Sequence, residues 1–160
     1  MKWITRQRPK IDRVACPWLI ARFIDKEPEF LFVPPAQVRS VAATTGAIPY
    51  DVEGVELTHD GPLCSFDALL AKYDLASDPA LLDLAAIVRG ADTARLDLAP
   101  QCAGLLAISL GLSRLFADDH EQIQHGFVMY DALLAWLREA QGETHTWNPQ
   151  RGPTPVPAAV

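Results

Sequence analysis

The sequence has no apolar run of the roughly 18–20 residues that a membrane span requires. Its longest apolar stretch, "AGLLAISLGLSRLF" at 103–116, is shorter and carries Arg114 near its end. The opening "MKWITRQRPKIDR" is basic, but no signal-peptide core follows it, because Pro17 and Asp25 bracket only a short apolar patch. These absences predict no membrane association and a cytoplasmic location. Cysteine is scarce: Cys16, Cys64 and Cys102 are widely separated, odd in number and form no C-x-x-C pair. That pattern argues against a disulfide framework and against a zinc ribbon or finger. There is no H-E-x-x-H, no EF-hand ladder and no G-x-S-x-G, and "GLLAISLGLS" lacks the spacing and the lysine of a phosphate loop. An excess of positive charge is missing too. Lys and Arg number 14 against 20 Asp and Glu, for a net charge of −6, so direct nucleic-acid binding is not expected.

What is present suits one domain. The 160 residues are 49% hydrophobic, enough for an ordinary core. "WITR" at 3–6 reads as a strand, and a helix starts at Asp12 or Pro17 and runs to about Asp25. "EFLFVPP" at 29–35 reads as a second strand, and 35–46 as a helix ended by Gly46. Residues 47–61 read as two extended pieces around a Glu53-Gly54 hairpin. Ser65 is the expected N-cap of a helix over 66–74. Three helices follow: 78–92 with Gly90 at its stop, 100–116 buried between its neighbours, and 118–141. The expected fold is α+β, mostly helical, with a few short N-terminal strands in a single domain over 1–142. The proline-rich stretch 143–160 reads as a flexible tail.

Ligand-type side chains collect at the ends of these segments, among them Asp12, Asp51, His59, Asp60, Cys64, Asp67, Asp92, Asp118, Asp119 and His120. His59 ends a strand-like piece, Asp92 follows a helix stop and His120 lies in the first turn of the last helix. Such termini are where a scaffold holds functional groups. Bland uses compete at several positions. Asp118 or Asp119 serves as an N-cap, Asp67 as a helix-dipole acid, and Cys64 and Cys102 as small buried apolar groups. Basic residues crowd the start, from Lys2 to Arg13, as a solvated edge or an anion- or partner-docking surface. Arg13 and Arg89 are candidates for gripping an oxyanion, whereas Arg95 reads as a surface ion-pair partner.

Several long stretches carry a family resemblance: "RPKIDRVACPWLIARFID" (8–25), "EFLFVPP" (29–35), "GVELTHDGPLCSFDALL" (54–70), "LAAIVRGADT" (84–93), "GLLAISLGLSRL" (104–115) and "DDHE" (118–121). They resemble the ChrB-type chromate resistance domain, also called chromate resistance exported protein, over about residues 3–141. The resemblance implies the sensing or effector half of a chromate-responsive regulator whose full length carries a DNA-binding region ahead of it. It also implies a site that keeps His59, Cys64, Asp67, Asp92 and His120. On that basis His59, Asp92, His120 and Asp67 are the expected ligands of a divalent Mn, Fe, Ni or Zn ion. Asp12 and Cys64 then stand behind them, and Arg13 and Arg89 face a small oxyanion or other small-molecule ligand. Three functions remain in play. The domain is a metal- or oxyanion-binding sensor or accessory factor in chromate resistance; or it is a metal-dependent redox or hydrolytic enzyme using His59, Asp92 and His120; or it is a scaffold docking a partner through its basic edge. The last helix, with Phe127, Tyr130 and Trp136, suits a core or a homo-oligomer interface, the core being the commoner use.

Overall fold

The chain starts with the strand that stands in the middle of its sheet. In the computed structural model, which describes residues 1–143, β1 (Lys2–Arg6) lies between β2 (Glu29–Val33) and β3 (Ile48–Pro49). Both neighbours run parallel to it, with Trp3 opposite Phe30 on one side and Ile48 on the other. A parallel strand covered on both faces needs apolar or small side chains in unbroken succession. β1 meets this with Trp3, Ile4 and Thr5, all fully buried. Ile4 packs with Val38 and Ala47 in a small core, while Trp3 joins the main one.

The main core is built by helices. α1 (Asp12–Leu19) begins at Asp12, the earlier of the two starts the sequence allows, and carries Pro17 inside it. Pro17 has no N–H to donate back along the helix, and the turn that follows widens into a π-helical segment, Ile20–Ile24. Trp18 sits at the centre, with Phe66 stacked at 6.4 Å and Tyr130 tilted at 5.8 Å. Its indole N–H donates to Asp131 Oδ1 at 2.7 Å. After β2, which ends at Val33 before the two prolines, a 3-10 turn over Pro35–Gln37 leads into α2 (Val38–Thr45). Gly46 closes that helix in the left-handed conformation, φ 70°.

The expected hairpin at Glu53-Gly54 does not form. β3 joins the sheet parallel to β1, and Tyr50 bridges Leu57 in parallel sense, so the 51–57 loop folds back beside its own strand. The N-cap of α3 (Ser65–Lys72) is Cys64 and not Ser65; the Asp67 carboxylate accepts from the Cys64 N–H at 2.9 Å in a capping box. α4 (Pro79–Asp92) runs through Gly90, which is no stop signal. A Cβ there would lie 2.3 Å from Cys102 Sγ, so the glycine lets the start of α5 (Cys102–Leu115) approach α4 closely. α5 also departs from expectation. It turns Cys102, Leu105, Ser109 and Ser113 inward and leaves Ile108, Leu110 and Leu115 exposed. α6 (Asp119–Ala135) crosses behind α1, capped by Asp118, whose carboxylate accepts from the Glu121 N–H at 2.8 Å. The fold is thus α+β, with six α-helices among the described residues and a small parallel sheet. No described helix is long and apolar enough to cross a membrane. Apart from Glu143, the segment expected as a tail lies outside the described residues.

Candidate metal centre

Three parts of the fold deliver carboxylates to one point. Asp12 is the first residue of α1, Asp51 follows β3, and Asp92 is the last residue of α4. A carboxylate at a helix N-terminus is electrostatically favoured, and one at a C-terminus is disfavoured. Asp12 therefore suits its helix, whereas Asp92 gains nothing from its own. His59, from the loop between β3 and α3, inserts its Nε2 among them. It lies 3.2 Å from Asp92 Oδ2, 3.3 Å from Asp12 Oδ2 and 3.5 Å from Asp51 Oδ1.

The three acids are not equivalent. Asp51 is compensated: Arg6 Nη2 approaches its Oδ2 at 2.6 Å, Arg13 Nε at 3.1 Å, and Ser65 Oγ donates to Oδ1 at 3.1 Å. Among the described residues no arginine pairs with Asp12 or Asp92. The Asp12 side chain is only 3% exposed, and its Oδ2 receives no well-aimed hydrogen bond although His59 is near. A buried carboxylate oxygen in that condition is costly unless a cation satisfies it. Electrostatics follow from this crowding. Burial first, then the charge of Asp12, pushes the Asp92 carboxyl up to about 7. Burial and the Asp12 charge also raise Asp51, against the pull of Arg6 and Arg13. Contact with Asp12 foremost, opposed by burial, and then the charges of Asp12, Asp92 and Asp51 lift the His59 imidazole to about 9. Without another cation, a protonated His59 is the countercharge of the cluster. Its imidazole is 39% exposed, so this is also the side from which solvent reaches the site.

Asp12, His59 and Asp92 form a group able to hold a metal ion, each offering one ligand atom, with these atoms within 4.8 Å of one another. Two ligands about 2.0–2.2 Å from a shared ion, at tetrahedral or octahedral angles, stand roughly 3.0–3.5 Å apart. The two His59-to-carboxylate spacings of 3.2 and 3.3 Å fall in that range.

Sequence reasoning brought His59 and Asp92 to this point and placed Asp12 behind them; the structure puts Asp12 in the group itself. His120 does not join it. Its ring lies edge-on to Phe32 of β2, centroids 5.3 Å apart. Asp67 is also elsewhere, holding the Cys64 N–H and the Arg89 guanidinium, the latter at 2.6 Å. Arg89 is thereby committed to Asp67, and Arg13 to Asp51. Cys64 is buried beneath the site, and burial pushes its thiol far above the ordinary range. Asp51 was visible as a ligand type but not chosen. Its signal was positional, because residues just past the carboxyl ends of parallel strands line the usual crevice of such sheets; Arg6 and Asp51 both stand there. Along the basic edge Lys2 and Lys10 are exposed, while the half-exposed Arg6 meets Asp51 and Arg8 meets Asp119 and the Phe116 and Ala117 carbonyls.

Comparison with known proteins gives the chain a family. The model of the family described as ChrB, C-terminal domain matches residues 3–137. This chain belongs to that family. The ChrB-family domain is 36% identical over 129 residues to Protein ChrB of Cupriavidus metallidurans, covering 80% of this chain. It spans 38% of that relative's length. No solved structure matches it.

Proposed function

We propose that this ChrB-family domain binds one divalent transition-metal ion through Asp12, His59 and Asp92, and acts in chromate resistance as a metal-responsive sensor or accessory factor. The observation that carries the reading is the buried Asp12 Oδ2, which receives no hydrogen bond and faces an imidazole nitrogen and a second carboxylate. Charge points the same way. With Arg6 and Arg13 both set against Asp51, Asp12 and Asp92 are left facing His59 alone, and a divalent cation between them would take over its role as countercharge. One imidazole and two carboxylates suit Mn, Fe, Ni or Zn better than a thiolate-seeking ion. Three protein ligands leave coordination positions free for water or a small oxyanion on the exposed His59 side, the arrangement that distinguishes a responsive or catalytic ion from a closed structural one.

The test is metal titration of the tag-free, chelator-treated protein with Mn and Zn, read by calorimetry and elemental analysis. One equivalent should bind to the parent. His59→Ala and Asp92→Asn should lose more than the roughly 10–100-fold that outer partners of a metal site are worth. A parent that takes up neither metal would leave the cluster as an imidazolium held by carboxylates and end the metal reading.

A further inference from the structure

The segment that aims Asp12 is under strain. Ile11, the residue before it, has φ 44° and ψ −103°, and Arg8 has φ 58°. A β-branched residue avoids the left-handed half of backbone space, and such positions persist only where their surroundings impose them. Here α6 imposes them. Tyr130 Oη donates to the Ile11 carbonyl at 2.9 Å, and Gln122 Nε2 donates to the Pro9 carbonyl at 2.7 Å, both buried. The Arg8 N–H donates to Asp119 Oδ2 at 2.9 Å. Gly126, between those anchors on α6, lets Val14 close in, since a Cβ would stand 2.3 Å from Val14 Cγ1. Three residues of one helix thus grip the four-residue turn, 8–11, that leads into Asp12.

We infer that Tyr130 and Gln122 are positioning residues of the metal site: they hold Asp12 at its ligand distance by pinning the strained 8–11 turn, and so link metal occupancy to the seating of α6. This rests on the metal reading above. Neither residue is among the candidate ligands. Each acts on a backbone carbonyl one to three positions ahead of Asp12. Released from them, the turn relaxes toward ordinary backbone values and carries Asp12 away from His59 and Asp92. Linkage is reciprocal, so an ion that fixes Asp12 also holds Ile11 and Pro9 in place for α6.

The experiment compares Zn and Co(II) binding to the parent, Tyr130→Phe, Gln122→Ala and a control, Arg22→Gln. The control removes the Arg22–Asp131 pair, which ties α6 to the π-helical segment after α1 without touching the turn. Tyr130→Phe, which keeps the ring and its packing, should bind roughly 10–100-fold more weakly, as loss of an outer partner does. It should also alter the visible absorption of bound Co(II), which mere loss of stability would leave unchanged. Zn should slow amide exchange in the first half of α6 in the parent, and less in Tyr130→Phe. Equal affinity and spectrum in parent and Tyr130→Phe, or equal losses in Tyr130→Phe and Arg22→Gln, would overturn the inference while the metal site stands. A parent that binds neither metal overturns the site reading, and this one with it.

Discussion

The crevice at the end of the sheet and the outer face of α5 invert the usual rule in opposite directions. At the crevice Asp12 and Asp51 are buried. On α5, Ile108 and Leu115 are 53% and 76% exposed while Ser109 and Ser113 face inward. The two inversions are not equally informative. An exposed leucine forfeits the stabilisation of burial and nothing more, and folded surfaces carry many. A buried carboxylate must be matched by a charge or an ion. The crevice therefore states a requirement, and α5 states only a permission.

The comparison breaks most visibly at Arg13. Replacing it with methionine keeps bulk but leaves Asp51 with Arg6 as its one arginine beside Ser65 and His59, and the loss should be about 1.5–3 kcal/mol, as for one hydrogen bond removed from a charged group. Urea denaturation would show it, and a loss below about 1 kcal/mol would mean that Arg6, Ser65 and His59 already satisfy the buried Asp51. A pH series sharpens the picture next. In the metal-free protein the raised His59 favours the folded state below its ordinary 6.5, and this contribution disappears as pH rises through about 9. Asp92, raised from 3.8 to about 7, also binds its proton more tightly when folded, so its contribution likewise falls with pH, across about 4 to 7. Stability should thus decline from pH 6.5 to 9, and His59→Gln should flatten that limb. An unchanged limb would show that the imidazole does not countercharge the cluster. The smallest effect belongs to α5: Leu115→Ser should change stability by no more than about 0.5 kcal/mol. A larger loss, or one that grows with protein concentration, would show that a second copy covers this face.

Much of this contrast was legible in the sequence, and its limits are physical. β1, β2 and the helices announce themselves by periodicity and by proline and glycine at their ends. Asp92 could be read because it stands at a helix end, and His59 through the family resemblance, since the structure sets it within the loop between β3 and α3 and not at the end of a strand. His120 stands at a helix end too, and nothing in the residue order distinguishes a terminus that points into the crevice from one that rests against Phe32. Asp12 was readable as a companion, but its burial was not, because burial depends on α6 closing over the 8–11 turn. Gly90 and Glu53-Gly54 misled for a related reason. Glycine marks close packing as well as stops and turns, and only the neighbour, Cys102 in the one case and the parallel sheet in the other, decides which. The inward serines of α5 were hidden by its composition, which is apolar on every side.

One consequence of the sheet order concerns how the molecule comes into being. β1 is the first strand and the central one, and both of its neighbours lie across crossovers. It has no hairpin partner to meet early, so its pairing waits for residues 29–33 and 48–49 to arrive. Closing such distant contacts is the slow part of folding. Asp12 and Asp92 are separated by eighty positions, so the crevice is complete only once both ends of that span have docked. An ion bound there would report that the whole sequence of docking events has finished, and would slow its reversal.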